Sequence, residues 1–207
     1  KTAYEIYQCD WSSDVCSSDL LFSVLPRAPD VVVYNPSYRV RGPLVELNPA
    51  HVRKTIEVCA FGAFLVAQQA ARTMLAAGKG VILLTGASAG VKGYAQSTPF
   101  AMGKFALRGL AQSMARELSS QGIHVAHFVI DGGIRSAART EPADKPDSML
   151  DPDAIAESYW NVLQQPRSAC HCERSEAIQD CLCGSRLDCF VASLLAMTAE
   201  EEPYDYG

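Results

Sequence analysis

The sequence predicts an α/β fold built on a doubly wound parallel sheet, because short apolar runs alternate with long helical patterns. Three runs, at residues 31–34, 80–85 and 123–130, are rich in Val, Ile and Leu, and each is followed by a turn signal. Runs of this kind are typical of buried strands. Since a helical segment separates each run from the next, the strands are expected to run parallel.

Each predicted helix has recognisable ends. Asn48 and Pro49 supply an N-cap and a first-turn proline for a helix that extends to about residue 77, where Gly78 ends it. A second helix is predicted at about 99–119, and Asp151 caps a third that ends near residue 164. These three helices and the three strands account for most of the chain between residues 31 and 164.

The first helix is apolar nearly all round at its centre. Phe61, Phe64 and Leu65 lie outside the apolar stripe that the helical period predicts for its main face. We therefore expect this helix to be buried on two sides.

Charge and composition exclude several classes of function. The net charge of −5 and the isoelectric point near 5.4 argue against nucleic-acid binding, since a phosphate-binding surface needs an excess of basic residues. No uninterrupted apolar run reaches the roughly 18 residues that a membrane helix requires, and the chain does not open with a signal-like pattern. We therefore expect a cytoplasmic protein with neither membrane nor nucleic acid as a partner.

The two ends of the chain differ in composition from its middle. Residues 1–20 lack periodicity and resemble a translated sequencing adapter, with a disordered natural tail as the alternative. Residues 169–198 resemble a translated intergenic repeat, and their C-x-C cysteine spacing is weak evidence for zinc, so no metal site is predicted. We divide the chain into a non-native, disordered segment at 1–20, one domain at 21–168 and an irregular, non-native tail at 169–207.

Between residues 31 and 136 the chain carries five motifs in the order and spacing of one known family. They are the turn Asn35-Pro36-Ser37, the strand and turn VILLTGASAG, the pair Phe100 and Lys104, the helix and strand at 105–125, and the turn Asp131-Gly132 with Ser136 beyond it. On these motifs the domain resembles the short-chain dehydrogenase/reductase (SDR) family. The resemblance implies a partial Rossmann-like sheet, about the C-terminal two thirds of such a domain, because no glycine-rich phosphate loop precedes residue 31.

The resemblance also implies a reaction, hydride transfer between a nicotinamide cofactor, NAD or NADP, and an alcohol or carbonyl. Members use a Tyr as general acid and base, a Lys four residues later, a Ser after the preceding strand and an Asn on the preceding helix. In this chain the Tyr position is Phe100, the Ser position is Ala87 and the Asn position is Cys59, whereas Lys104 is retained. Ser88 lies one residue from the Ser position. We therefore expect this chain to lack the conventional activity.

The candidate site residues follow from the matched motifs. The resemblance assigns catalytic positions to Lys104, Phe100 and Ser88. It assigns contacts with the cofactor to five residues: Asn35, Lys104, Asp131, Gly132 and Ser136. Simpler alternatives remain: Lys104 as a solvated surface lysine, Phe100 as a core residue, Cys59 as a small buried apolar residue, and Tyr94 as a partly exposed loop residue.

Three functional hypotheses are consistent with these patterns. The first is a fragment of an SDR-type NAD(P)-dependent oxidoreductase that acts on a small-molecule substrate. The second is a non-catalytic dinucleotide-binding or interaction module, and the third is a truncated product without function. The resemblance further implies a homodimer or homotetramer formed through the helices at 50–77 and 99–119.

Overall fold

The computed structural model describes residues 22–146 and 148–165, and this part of the chain contains a three-stranded parallel sheet. The strands are β1 (Val31–Tyr34), β2 (Gly80–Thr85) and β3 (Ile123–Phe128), and β2 lies between the other two. In the register, Tyr34 is opposite Leu84, and Thr85 is opposite Phe128. The predicted α/β fold with parallel strands is confirmed.

In the described part of the chain, α-helices surround the sheet. They are α1 (Pro49–Ile56), α2 (Gly62–Ala77), α3 (Thr98–Leu118) and α4 (Pro152–Gln164), and a π turn (Glu57–Phe61) joins α1 to α2. Short 3-10 turns lie at Leu44–Glu46, Ser88–Gly90 and Ser119–Gln121. Together α1, the π turn and α2 span the first predicted helix, and α3 and α4 begin and end within a residue of the predicted positions.

Local capping explains why the helix ends could be predicted. The side chain of Asn48 accepts a hydrogen bond from Ala50 N (2.9 Å), and that of Asp151 accepts one from Asp153 N (2.8 Å). Each bond satisfies a backbone donor that the first turn of a helix leaves unpaired. At the other end of α2, Gly78 adopts a left-handed conformation with φ of 69°, which costs glycine little.

Strand β3 ends at Phe128, two residues earlier than predicted. Its neighbour β2 ends at Thr85, and the chain then turns into the 3-10 segment at Ser88–Gly90. Single hydrogen bonds still join the two segments beyond the sheet, from Gly86 N to Phe128 O (2.6 Å) and from Ser88 N to Ile130 O (2.8 Å). The regular hydrogen-bond ladder between β2 and β3 stops at Phe128 because β2 has already ended at Thr85.

The π turn is the main departure from the predicted continuous helix. Gly62 N donates to Glu57 O, five residues back, and the buried Tyr34 hydroxyl of β1 donates to Val58 O at 2.6 Å. A π turn inserts one residue and rotates the helix that follows. Here it buries Val58 and Cys59 completely or nearly so.

The two faces of the sheet are covered by different helices. On one face α2 and α3 enclose a core that includes Tyr34, Ile82, Leu84 and Ile123. On the other face α4 packs Ile155 and Tyr159 against β2 and β3; the remaining core residues of that face are Leu83 and Phe128. At β1 the second face is only partly covered, since Val33 is 48% exposed.

The expectation that the first helix is buried on two sides is wrong for the single chain. Phe61 and Phe64 are 47% and 41% exposed, and their rings stack on each other with centroids 6.3 Å apart. One side of the helix faces the sheet and α3, and the opposite side faces solvent. By length and apolar composition the stretch Pro49–Ala77 could span a membrane, but half of its most apolar part is buried in the fold, as in a core helix.

Gly90 marks a point where two backbones approach too closely for a side chain. A Cβ at this position would lie 2.8 Å from Lys104 O in α3. We predict that Gly90→Ala lowers the free energy of unfolding by about 1–3 kcal/mol, because either the turn or the helix must move. The measurement is urea denaturation of both proteins.

Gly109→Ala is the matched control for that substitution. Gly109 lies in α3, and a Cβ there would meet no atom within 4 Å. This variant should gain about 0.5–1 kcal/mol of stability, because alanine is the better helix former. Equal stability of Gly90→Ala and the unaltered protein would show that the close approach is not real.

Candidate functional site

The carboxyl ends of the three strands meet at one edge of the sheet. Asn35 directly follows β1, and the turn that begins at Gly86 follows β2. The segment after β3 stays beside that turn through the hydrogen bond from Ser88 N to Ile130 O. In open parallel sheets ligands bind in the crevice outside this edge. The candidate site is therefore the space around these three chain segments.

Lys104 is buried at this edge, and only 2% of its surface is exposed. Its Nζ donates to Thr85 O, the last carbonyl of β2, at 2.9 Å. Burial lowers the pKa of Lys104, and the proximity of Cys59 partly opposes that effect. The alternative of a solvated surface lysine is therefore wrong, because α3 points this side chain into the protein.

The positions that the resemblance assigns to Tyr, Ser and Asn lie together. Phe100 and Cys59 belong to one buried cluster with Ala89, and Ala87 packs against it. The Cys59 thiol also contacts Tyr38 O at 3.6 Å. The close packing of α3 against the π turn makes this possible, since a Cβ at Gly103 would lie 2.8 Å from Cys59 Cβ. The arrangement keeps the three positions near Lys104 but makes them apolar, apart from the thiol.

Ser88 is half-buried at the start of the 3-10 turn. Its backbone N–H bonds Ile130 O, and its carbonyl accepts from Val91 and Lys92. Its catalytic role stays a prediction. Tyr94 lies in the following loop, 43% exposed, with Lys92 Nζ 5.3 Å from its ring centroid, as expected for a loop residue.

The remaining candidates lie in the segment after β3. Asp131 is exposed, and its charge contributes to the raised pKa of Lys92, after the larger effect of the Tyr94 hydrogen bond. Gly132 packs against Leu150, and the backbone of Ser136 pairs with that of Arg139 in a tight turn. Their assignment to the cofactor rests on the resemblance alone and stays a prediction.

The family comparison agrees with this geometry. A model of the short chain dehydrogenase family matches residues 7–146. The chain belongs to this family. The match begins inside the segment 1–20, and residues 7–20 lie outside the described part of the chain, so the predicted domain division is not tested.

Individual similar proteins are also dehydrogenases. Among curated relatives, human 17-beta-hydroxysteroid dehydrogenase type 1 is 30% identical over 122 residues, which cover 59% of this chain and 37% of that protein. A short-chain dehydrogenase from Rhodopseudomonas palustris is 35% identical, with a TM-score of 0.61 over 75% of this chain and 68% of that structure. A gluconate 5-dehydrogenase from Burkholderia cenocepacia, solved with NADP and tartrate, shares the fold at 22% identity, with a TM-score of 0.55 over 70% of this chain and 55% of that structure.

The chain spans less than half the length of three curated relatives that it matches, at 37%, 42% and 48%. The matched part nevertheless includes the carboxyl edge of the sheet and Lys104. The site therefore lies in the shared region.

The ribose end of a nicotinamide dinucleotide fits the chemistry of this short-chain dehydrogenase site. The Lys104 ammonium carries three donors, of which Thr85 O accepts one, so further N–H groups match ribose hydroxyls. Asn35 adds a polar side chain at the same edge. The described residues before β1, 22–30, contain no glycine and so no glycine-rich pyrophosphate loop, and the fit concerns the ribose only.

No metal site is found in the described part of the chain, where no group of three His, Cys, Asp or Glu side chains could hold an ion. The C-x-C cysteines of the tail lie outside it.

Two residues of the site were missed by sequence reasoning. The Arg39 guanidinium lies over the Phe100 ring, with Cζ 5.1 Å from the centroid. His127, in β3, has a buried Nε2 with no hydrogen-bond partner in the part of the chain that the structure describes. The strand alternation of 123, 125 and 127 could have placed His127 on the face covered by α3. The sequence offers no comparable signal for Arg39, which lies in a loop.

The environment of His127 disfavours its charged form. Burial, followed by the smaller effects of the positive charges of Lys104 and Arg108, lowers the pKa of His127 to about 4. A folded-state pKa below the unfolded value means that the unfolded chain binds more protons between about pH 6.5 and pH 4. Stability is therefore present above pH 6.5 and is lost as the pH falls through this window.

We predict that the free energy of unfolding falls by roughly 3 kcal/mol between pH 6.5 and pH 4, on the basis of this shift. His127→Gln should flatten that slope, because glutamine does not titrate. The measurement is urea denaturation at half-unit pH steps. Asp151→Asn is the control. Because the pKa of Asp151 is lowered from 3.8, this carboxyl changes the free energy of unfolding mainly below pH 4, outside the range in which His127 titrates. An unchanged slope in His127→Gln would contradict the assignment.

Proposed function

We propose that this chain belongs to a nicotinamide-dependent oxidoreductase that transfers hydride between cofactor and an alcohol or carbonyl. The observation that carries the proposal is the buried Lys104 ammonium, held by Thr85 O at the carboxyl edge beside Phe100. A buried charge in a crevice is costly and is typical of functional sites. Family membership and the hydroxysteroid relative support the same reaction class.

Lys104 and Asn35 would hold the nicotinamide ribose. The bound cofactor supplies the hydride acceptor or donor, and the substrate supplies the carbon that reacts. Asp131, Gly132 and Ser136, in the segment after β3, are further candidates. The choice between NAD and NADP is not part of the proposal, because the acidic or basic residue that discriminates them lies early in such domains.

Proton transfer requires a group other than Phe100, which has no acidic proton. Lys104 Nζ lies 5.6 Å from the Phe100 ring centroid, and its lowered pKa brings an ammonium closer to the range in which it can exchange a proton at neutral pH. We infer that Lys104 moves the proton to or from the substrate oxygen, in addition to holding the ribose. Ser88 is the other candidate for contact with that oxygen.

A non-catalytic binding module is the second candidate. The observation in its favour is the apolar cluster of Cys59, Ala89 and Phe100, packed by Ala87, where a conventional member has polar groups. Such a module would retain dinucleotide binding through Lys104 and catalyse nothing.

We also propose that the protein forms homo-oligomers through its two long helices. Phe61 and Phe64 near the middle of the first, and Met102 and Phe105 on α3, expose large apolar side chains. Contiguous apolar surface on neighbouring helices is typical of subunit interfaces. An interface there would bury the second side of the first helix.

The test of the proposed function is cofactor binding by the 207-residue chain. We predict that Lys104→Met weakens the binding of NADH or NADPH about tenfold or more, because one charge-assisted hydrogen bond contributes roughly 1.5–3 kcal/mol. The measurement is titration of nicotinamide fluorescence. Lys79→Met is the matched control, since Lys79 is exposed, pairs with Asp30 and lies at the opposite end of β2.

Equal affinities for Lys104→Met and the control would overturn the cofactor assignment.

Turnover distinguishes the catalytic oxidoreductase from the non-catalytic binding module. If the unaltered chain oxidises NADPH in the presence of a ketone and Phe100→Tyr increases that rate, up to the roughly 10²–10⁴-fold typical of general acid catalysis, the site is catalytic. Binding without turnover in both proteins would support the non-catalytic module.

A further inference from the structure

Tyr159 of α4 contacts both residues of the last register pair between β2 and β3. That pair is Thr85 and Phe128. The Tyr159 hydroxyl is hydrogen-bonded to the Thr85 hydroxyl at 2.7 Å, and the Tyr159 ring stacks on Phe128 with centroids 3.8 Å apart. One side chain therefore fixes the ends of two neighbouring strands, at the edge of the sheet where the candidate site lies.

Packing accounts for the ring of Tyr159 but not for its hydroxyl. Tyr159 is 8% exposed and Thr85 is 6% exposed, so both side chains are almost completely shielded from water. Phenylalanine would fill the same space and keep the stacking. A buried pair of hydroxyls also adds little stability over an apolar pair of the same shape. The reason for the hydrogen bond is therefore to be sought in what it holds in place.

The residue that it holds is the acceptor of Lys104. Thr85 O accepts a hydrogen bond from Lys104 Nζ at 2.9 Å. Thr85 is also the last residue of β2, and strand ends open more readily than strand centres. Threonine is β-branched and stiff about χ1, so a bond that fixes its hydroxyl also restricts the orientation of its backbone. The Tyr159 hydroxyl on one face of the sheet thus supports the carbonyl that binds an ammonium from the other face.

We propose that Tyr159 is a positioning residue for Lys104. Its hydroxyl, acting through that of Thr85, keeps the Thr85 carbonyl in place to accept from Nζ, and so sets the position of the ammonium. The inference rests on the proposed oxidoreductase function only for the ligand of Lys104, a nicotinamide dinucleotide. The effect on the ammonium itself is testable without a ligand.

The experiment follows the Lys104 ammonium by ¹⁵N NMR in the full chain and measures NADPH affinity in parallel by nicotinamide fluorescence. Tyr159→Phe removes one oxygen and keeps the ring. We expect this variant to speed the exchange of the Nζ hydrogens with water and to weaken NADPH binding. Each change should be about threefold to tenfold, the range that corresponds to one neutral hydrogen bond.

Two substitutions of Thr85 give an independent comparison. Thr85→Val breaks the same hydrogen bond from the other partner and should reproduce both effects of Tyr159→Phe. Thr85→Ser retains a hydroxyl and should keep exchange and affinity close to those of the unaltered protein. Combining Thr85→Val with Tyr159→Phe should add little to either single change, because both remove one interaction.

Ile155→Val is the matched control for a loss of packing. Ile155 is a buried residue of the same helix and belongs to the same core cluster as Tyr159. Loss of one methylene group there lowers stability by an amount similar to the loss of one hydrogen bond. This variant should leave exchange at Lys104 and NADPH affinity unchanged. Effects equal to those of Tyr159→Phe would reduce the role to general packing and overturn the proposal, and so would unchanged exchange at Lys104 in Tyr159→Phe.

The two readouts distinguish failure of this inference from failure of the proposed function. If exchange at Lys104 responds to Tyr159→Phe and the unaltered protein binds no NADPH, the positioning is correct and the cofactor assignment is wrong. If the unaltered protein binds NADPH and Tyr159→Phe changes neither exchange nor affinity, the cofactor assignment is correct and the role of Tyr159 is wrong.

Discussion

The hydrogen bond between Lys104 and Thr85 is the constraint on which the site depends. Placing an ammonium in the protein interior costs free energy unless its donors are satisfied. Thr85 O satisfies one of them at the end of β2, where the chain leaves the sheet. The other close neighbours of the ammonium, Phe100 and Cys59, are largely apolar. The lowered pKa of Lys104 and its fit to ribose hydroxyls follow from this arrangement.

Thr85 also connects the two faces of the sheet. Its carbonyl binds Lys104 of α3 on one side, and its hydroxyl is hydrogen-bonded to the Tyr159 hydroxyl of α4 at 2.7 Å. The Tyr159 ring stacks on Phe128 of β3 with centroids 3.8 Å apart, and burial raises its pKa above the usual range. Helices from opposite faces are therefore attached to the same strand residue at the carboxyl edge, which explains how a three-stranded sheet can position a buried cation.

The features that could be predicted from the sequence are those that depend on residues close together in the chain. The helix that Asn48 opens and Gly78 closes is an example, because capping bonds and the left-handed conformation are local. The π turn could not be predicted, since the Tyr34 hydroxyl that bonds Val58 O is 24 residues away. For the same reason the stacking of Arg39 on Phe100 was missed, although both lie in segments that the sequence placed at the site. The exposure of Phe64 shows that an apolar residue on a helix does not identify what covers it.

The most direct test of this account is the titration of Lys104 itself. The measurement is the pH dependence of the ¹⁵Nζ resonance of Lys104, identified by its loss in Lys104→Met. The account predicts a pKa below 10.5, the ordinary value for lysine, and slow exchange of the ammonium hydrogens with water. A Lys104 that titrates at the ordinary value with fast exchange would be solvated, and the site built on it would not exist.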